Sequence, residues 1–314
     1  MEKVPIIDLS ADRAICVAQV DAALKQFGFF YVCNHGIEAE LIQQQFDVAA
    51  NLFALPLEAK QAMPFNAQLD IGYAGTGEQS LDPDGKTQHT GDTKEQFVMT
   101  NNKLISDPTA VTDPNDVFAE SINYQPDISN HAPVSKAYMS AAFKLNLRLN
   151  DLLFAALQLD SHQRQALGAQ PFLVLKQMRY AGEPSNPAAG KFGAGAHADW
   201  GSFTILATDA TPGLQIQMQN DWLPVPPVPG CLIINSGDQI AQLTNDGYRS
   251  AIHRVVTASA TPRYSTAVFT YFGMHAIVEP LQQFVSDQRP ARYPSGRTTD
   301  EYFHYKLTES MGSG

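Results

Sequence analysis

The sequence is poor in cysteine and in long apolar runs. Its three cysteines, Cys16, Cys33 and Cys231, are odd in number and widely spaced, and they form no Cys-x-x-Cys pair. This pattern argues against both a disulfide scaffold and a thiolate zinc site, so we expect three free thiols in a reducing, cytoplasmic compartment. No stretch approaches the roughly 18 apolar residues of a membrane span, and no apolar signal region opens the chain.

Positive charge is also scarce. The chain has 21 Lys and Arg against 32 Asp and Glu, which gives a net charge of −11. Binding to a nucleic-acid backbone depends on clustered Lys and Arg, so we expect neither a nucleic acid nor a membrane as partner. The expected partner is a small molecule, and the sequence indicates no oligomeric state.

Hydrophobic periodicity changes in character along the 314 residues. Helical spacing predicts helices over about 13–27, 38–54 and 134–158, and the polar, glycine-rich stretch 64–93 is interpreted as a substrate loop. From residue 172 onward, short apolar runs alternate with Gly, Pro and Asn turns, which is typical of a barrel or jelly roll. These predicted strands cover 173–180, 202–207, 214–217, 232–235, 253–256 and 265–272.

We therefore predict an α+β fold in which residues 1–314 form a single unit. Its mainly helical N-terminal region would span 1–170, its jelly-roll catalytic core 171–285 and its C-terminal segment 286–314. The three parts are defined by the change from helical to strand periodicity and by the turn residues that follow it.

His197 and Asp199 are two residues apart, a spacing that on a strand places both side chains on the same face. His253, which lies 54 residues after Asp199 in another strand-like run, is the candidate third ligand. Two imidazoles and one carboxylate on one side of a metal leave three positions open, which suits Fe(II) handling O2 and a bidentate co-substrate. The same three residues would also fit a zinc hydrolase site.

Arg263 and Ser265 follow His253 by ten and twelve residues. Their alternate spacing on a strand would point both into one pocket. An inward-facing guanidinium and hydroxyl are costly unless they meet an anion, and the planar fork of Arg suits a carboxylate. The alternative is a surface Arg near the turn at Pro262, but next to the ligand pattern a carboxylate anchor is favoured.

Taken together, these motifs resemble the isopenicillin N synthase-like group of 2-oxoglutarate- and Fe(II)-dependent dioxygenases. The resemblance covers nearly the whole chain, beginning with the runs at 4–9 and 27–36. It continues through Gly72-Tyr73, Gly77-Glu78, Lys94-Glu95, His197-Ala198-Asp199, Gly213-Leu214-Gln215, Asn235-Ser236-Gly237-Asp238, His253-Arg254-Val255 and Arg263-Tyr264-Ser265.

The resemblance implies a double-stranded β-helix (jelly roll) with flanking helices, and Fe(II) held by His197, Asp199 and His253. It implies 2-oxoglutarate and O2 as co-substrates, with the far carboxylate of 2-oxoglutarate on Arg263 and Ser265. Ascorbate is a further candidate cofactor. The implied reaction oxidises an unactivated C–H bond of a small molecule by hydroxylation, desaturation or cyclisation, and releases succinate and CO2.

The segment 179–182, Arg-Tyr-Ala-Gly, departs from the Asn-Tyr-Tyr-Pro that the family often has. Tyr180 is carried over as a 2-oxoglutarate contact. Arg179 is either a solvated charge at a strand end or a second cation in the pocket, which would favour a carboxylate-bearing substrate or contact the co-substrate. The expected substrate is a small amino-acid-derived or carboxylate-bearing metabolite.

Three further residues, Tyr73, Phe272 and His275, are candidates for the substrate pocket, because the family places substrate near the 64–93 loop and the last strand. One alternative is an Fe(II) oxidase of the same family that does not use 2-oxoglutarate and holds a substrate carboxylate on Arg263 and Ser265. A non-catalytic metal-containing binding protein is another, although the intact set of site residues argues against it.

Overall fold

The computed structural model describes residues 3–79, 91–101, 123–219, 221–258, 260–293 and 297–310. These ranges contain seven α-helices, five of which lie before residue 170. In chain order the helices are α1 (Arg13–Gln26), α2 (Ala39–Phe53), α3 (Leu57–Gln61), α4 (His131–Ala156), α5 (Ser161–Gly168), α6 (Asp238–Leu243) and α7 (Thr299–Ser310).

The same ranges contain twelve strands, most of them after residue 170. In chain order they are β1 (Ile6–Asp8), β2 (Phe29–Cys33), β3 (Gly72–Ala74), β4 (Lys94–Thr100), β5 (Pro171–Tyr180), β6 (Ala194–His197), β7 (Phe203–Thr208), β8 (Leu214–Met218), β9 (Asp221–Pro224), β10 (Cys231–Ser236), β11 (His253–Val255) and β12 (Arg263–Gly273).

The strands form two sheets. The large sheet has the order β1-β2-β10-β7-β12-β5-β4-β3, and the small sheet has the order β6-β11-β8-β9. Side chains of both sheets share one apolar cluster, in which Met178 and Ala267 of the large sheet meet Leu214 and Ile216 of the small sheet. Two sheets packed in this way form the predicted jelly roll.

Helices α2 and α4 cover the other face of the large sheet. Helix α4 was predicted to begin at residue 134 but begins at His131, with Pro133 in its first turn. Proline is tolerated there because the N–H groups of the first turn have no partner within the helix. Tyr138, Met139 and Leu149 of α4 are fully buried in the main core.

The ladder between β12 and β5 determines which side chains face the small sheet. Its antiparallel register runs from Arg263 opposite Tyr180 to Thr270 opposite Leu173. Because side chains alternate along a strand, one residue in two of β12 points towards the small sheet and the others point towards the helices. Strand β4 extends the same rows, with Lys94 opposite Tyr180.

The stretch 64–93 was interpreted as a loop throughout, but its described part contains strand β3. This strand pairs antiparallel with β4, so that Tyr73 lies opposite Phe97. Residues 80–90 of the predicted loop lie outside the described residues.

The expectation of three free thiols is wrong. Cys33 and Cys231 are joined by a disulfide, and Cys16 is a buried free thiol. The two bonded residues lie 198 positions apart in sequence but directly opposite each other on β2 and β10. The inference from free thiols to a reducing compartment therefore loses its basis. Within the described ranges, no helix has the length and apolar character that crossing a membrane would need.

Candidate active site

Three side chains converge between the two sheets. His197 is the last residue of β6, Asp199 follows two positions later, and His253, the first residue of β11, lies opposite His197 in the ladder. The Nε2 atoms of His197 and His253 are 3.6 and 3.7 Å from the Asp199 Oδ1 atom. One ligand atom from each residue lies within 4.8 Å of the others, so the three form a metal site.

Both imidazoles are oriented by backbone carbonyls. The Nδ1 atom of His197 lies 2.8 Å from the Gly195 carbonyl oxygen, and that of His253 lies 3.0 Å from the Ala251 carbonyl oxygen. A carbonyl only accepts, so each Nδ1 carries the proton and donates it. This leaves the Nε2 lone pair for a metal, which is the usual arrangement at histidine metal ligands.

The carboxylate of Asp199 is oriented in the same manner. Its Oδ2 atom accepts hydrogen bonds from the Thr204 hydroxyl and from the Asn235 side-chain amide, the latter at 2.6 Å. Asp199 is 5% exposed. Its Oδ1 atom, on the side of the two imidazoles, remains available as the third ligand atom.

The electrostatics keep His197 and Asp199 in the protonation states that bind a metal. Burial, together with the nearby His253, lowers the pKa of His197 to about 4, so its imidazole is neutral near pH 7. Burial by itself would raise the pKa of Asp199. The two histidines and the hydrogen bonds from Thr204 and Asn235 outweigh it and hold that pKa below its ordinary value. Metal ligands must be deprotonated in this way before a metal binds.

The metal cavity, as we call the space beside the three ligands, has a volume of about 900 Å³ that includes its open mouth. Side chains of both sheets line it. They include Lys94, Gln96, Lys176, Met178, Tyr180, Leu206, Leu214, Val255, Arg263, Ser265, Ala267, Phe269 and Tyr271.

Arg263 and Ser265 both line this cavity and are each 2% exposed. The Nε atom of Arg263 donates to the Thr211 carbonyl at 3.2 Å, and its guanidinium lies 4.8 Å from the centre of the Tyr180 ring. Within the described ranges, Arg263 Nη1 and Ser265 Oγ are buried and have no hydrogen-bond partner. Two unsatisfied groups that face a metal site together form a fitting anchor for a carboxylate.

The predicted pocket residues are only partly brought together. Tyr180 lines the metal cavity, with its hydroxyl 3.8 Å from the Met178 sulfur. Tyr73 lines a second, adjoining cavity and donates its hydroxyl to Glu95 at 2.7 Å.

Arg179 does not enter the metal cavity. It lies between Met178 and Tyr180 on β5, so alternation turns it to the opposite face of the sheet. There the Arg179 Nη1 atom donates to Glu95 Oε1 at 2.6 Å. Partial burial by itself would lower the pKa of Arg179, but the Glu95 carboxylate stabilises the guanidinium charge and raises that pKa. The interpretation of Arg179 as a second pocket cation is therefore wrong.

Phe272 and His275 also lie away from the metal cavity. Phe272 is fully buried in the core on the helix side, with its ring 6.1 Å from that of Phe154. Its neighbour Tyr271 takes the place in the cavity that we had given to Phe272, since alternation decides between them. His275 is exposed and lines a surface groove next to α5.

Several cavity residues were missed by sequence reasoning. Lys94, Gln96 and Lys176 come from β4 and β5, and Trp200 directly follows the ligand Asp199. The period-two alternation of β5 would have grouped Lys176 with Tyr180. The sequence did not show that β4 lies beside β5.

Two family models match the chain. The model described as the N-terminal region of the non-haem dioxygenase in morphine synthesis matches residues 4–120, and the 2OG-Fe(II) oxygenase superfamily model matches residues 170–271. The flavanone 3-dioxygenase 2 of Oryza sativa subsp. japonica is 30% identical over 314 residues, which cover 96% of this chain and 82% of that protein. The chain belongs to the 2OG-Fe(II) oxygenase superfamily.

Two further relatives agree with this assignment. A 2-oxoglutarate-Fe(II) type oxidoreductase of Aspergillus fumigatus is 28% identical over 92% of this chain and 88% of its own length. A crystal structure of JOX2 in complex with 2OG, Fe and JA is 27% identical and has a TM-score of 0.78, covering 99% of this chain and 89% of that one. This superfamily member is therefore an oxidoreductase whose cofactors are Fe(II), at His197, Asp199 and His253, and 2-oxoglutarate.

Proposed function

We propose that this oxygenase oxidises an unactivated C–H bond of a small molecule, an amino-acid-derived or carboxylate-bearing metabolite. The outcome is hydroxylation, desaturation or oxidative cyclisation, with release of succinate and CO2. The observation that carries the proposal is the pair of buried, unsatisfied donors on Arg263 and Ser265, which line the same cavity as the three metal ligands. A dicarboxylic keto acid fits this cavity because it can chelate a metal with one end and satisfy both donors with the other.

The donor set supports Fe(II) in particular. His197, His253 and one carboxylate oxygen of Asp199 would hold the metal, and a set of three ligands would leave coordination positions for co-substrate and O2. When bound, Fe(II) and 2-oxoglutarate supply the activation of O2 that the side chains cannot provide themselves.

The chain's own residues hold the reactants in place and keep water away from them. The carbonyls of Gly195 and Ala251 keep the Nδ1 protons in place, and Asn235 holds Asp199 in the orientation that presents Oδ1. Arg263 and Ser265 would bind the far carboxylate of 2-oxoglutarate, and the ring of Tyr180 packs on the Arg263 guanidinium. The apolar side chains of the cavity would exclude bulk water while the C–H bond reacts.

The relatives support a small organic substrate. One is named a flavanone 3-dioxygenase, and another was crystallised with JA. Their names also favour 2-oxoglutarate over the same-family oxidase that takes electrons from its substrate. Succinate formed in step with product would distinguish these two mechanisms.

The proposal is tested by anaerobic titration of the purified protein with Fe(II), with and without 2-oxoglutarate. We expect a visible metal-to-ligand charge-transfer band only when both are present, and none in His197→Ala or Asp199→Ala. Circular dichroism of the metal-free variants checks that they remain folded. Absence of the band from the folded wild-type protein would overturn the 2-oxoglutarate assignment.

A further inference from the structure

A second cavity adjoins the metal cavity. This outer chamber has a volume of about 1200 Å³, which again includes its open mouth, and is lined by residues from β3, β4 and β5 together with Asp70 and Leu307. Four side chains line both cavities and therefore form the neck between them. They are Gln79, Gln96, Lys176 and Trp200.

An ion pair connects the neck to the wall of the outer chamber, because Lys176 lines both cavities and Asp70 lines the outer chamber. The Nζ atom of Lys176 is 3.5 Å from Asp70 Oδ1, whereas Lys60 and Glu95 approach to 2.6 Å elsewhere in the molecule. Asp70 is only 2% exposed, and Lys176 is the cationic side chain that pairs with it among the described residues. An ionised carboxylate has about four acceptor positions, so its ion pair with Lys176 leaves acceptor capacity that a ligand could use.

Gln96 adds a second unused acceptor. Its side-chain oxygen, Oε1, is buried and meets no donor among the described residues. Gln96 lies opposite Met178 of β5, one row from Lys176, and lines both cavities as Lys176 does. The neck and the adjoining wall of the outer chamber thus offer one cationic donor, Lys176, and two kinds of acceptor, the Asp70 carboxylate and the Gln96 amide oxygen.

Charge balance decides which ligand fits. A simple anion would draw Lys176 away from Asp70 and leave a buried carboxylate unpaired, and a simple cation would leave Lys176 unpaired. A molecule that carries both charges close together pairs with both side chains and leaves no charge uncompensated.

We infer that the neck binds the charged end of a zwitterionic substrate of the α-amino-acid type, an inference that rests on the proposed function. Lys176 holds the substrate carboxylate, while Asp70 and the Gln96 side-chain oxygen accept hydrogen bonds from the substrate ammonium. Arg263 and Ser265 bind the far carboxylate of 2-oxoglutarate and do not contact the substrate's charged groups.

The walls next to the neck indicate what the rest of the substrate is. Trp200, Phe269 and Tyr271 line the metal cavity, and the Lys176 ammonium lies 5.4 Å from the centre of the Phe269 ring. These aromatic side chains suit an apolar amino-acid side chain that extends from the neck towards the metal. The oxidised C–H bond therefore lies on the side chain of the amino acid and not next to its charged groups.

The test measures succinate release by the Fe(II)- and 2-oxoglutarate-loaded enzyme with each of the twenty proteinogenic L-amino acids. The amino acid with the strongest response is then compared with its N-acetyl form, its amide and its deaminated acid. We expect each loss of one charge to weaken the apparent affinity by about 10-fold to 100-fold, since each removes a charge-assisted hydrogen bond. Equal responses to the zwitterion and its N-acetyl form, or no response to any amino acid, would overturn the inference.

Two variants provide a readout that a purely structural role would not change. The apparent affinity for the zwitterion should exceed that for the deaminated acid by a smaller factor in Asp70→Asn than in the wild-type enzyme. In Lys176→Met, the factor by which it exceeds the affinity for the amide should be smaller. The matched control is Lys191→Met, which removes a half-buried Lys whose ion pair with Glu183 lies away from both cavities. Variants that weaken all compounds equally would contradict the assigned roles.

The charge-transfer band separates this inference from the proposed function. If the band forms with 2-oxoglutarate but no amino acid perturbs it or stimulates succinate release, the substrate inference fails and the proposed function stands. If the band does not form in the folded enzyme, the proposed function itself fails.

Discussion

Replacing Arg263 by lysine would test the 2-oxoglutarate anchor most directly. Arg263→Lys keeps the positive charge but removes Nη1, the buried donor that has no partner among the described residues. It also removes the hydrogen bond from Nε to the Thr211 carbonyl. The effect on co-substrate binding therefore comes from lost hydrogen-bond geometry more than from lost charge.

The expected loss of binding free energy for 2-oxoglutarate is that of one charge-assisted hydrogen bond, about 1.5–3 kcal/mol. At 1.4 kcal/mol for each factor of ten, the KM for 2-oxoglutarate should rise roughly 10-fold to 150-fold. Ser265→Ala removes a neutral donor worth about 0.5–1.5 kcal/mol, so its KM should rise by a smaller factor of roughly 2 to 12.

The assay is initial-rate succinate formation as a function of 2-oxoglutarate concentration, at saturating substrate. Arg164→Lys serves as the control, because Arg164 forms a surface ion pair with Asp151 far from the cavity lining. Thermal unfolding without 2-oxoglutarate measures the separate cost of leaving the Thr211 carbonyl unbonded. An unchanged KM for 2-oxoglutarate in both cavity variants, with a weakened affinity for the primary substrate, would refute the anchor and favour the same-family oxidase.

Three other predictions concern the orientation of Asp199, the ion pair between Arg179 and Glu95, and the disulfide. Asn235→Ala removes the 2.6 Å hydrogen bond to Asp199, so Fe(II) affinity measured by titration should fall about 10-fold to 100-fold; an unchanged affinity would contradict the orienting role. Arg179→Met breaks the ion pair with Glu95 and should lower the free energy of unfolding by about 1–3 kcal/mol, with the KM values unaltered, as denaturation and kinetics would check. Denatured but unreduced protein should titrate as a single thiol, that of Cys16, and three thiols would rule out the disulfide.

The residues chosen from the sequence differ in how well local pattern alone could place them. His197 and Asp199 were paired by the rule that alternate strand residues share a face. In the structure β6 ends at His197, and the two side chains still converge with His253. Phe272 lies one position out of phase with Arg263, and the residues of β12 that line the cavity are those in phase with Arg263, ending at Tyr271. Arg179 was misplaced because its partner, Glu95, lies 84 residues away, on a neighbouring strand.

The sequence by itself determined the strand-rich second half, the His197–Asp199 pair and the family resemblance, because these depend on residue type, short spacing and the order of motifs. The tertiary structure brought His253 to that pair. Only the tertiary structure decided that Cys33 bonds to Cys231, and that Lys176 and Asp70 meet at the neck. Both pairs join segments far apart in the chain, and their contact depends on strand order and register. Those follow from the packing of the whole sheet, which no local pattern of side chains encodes.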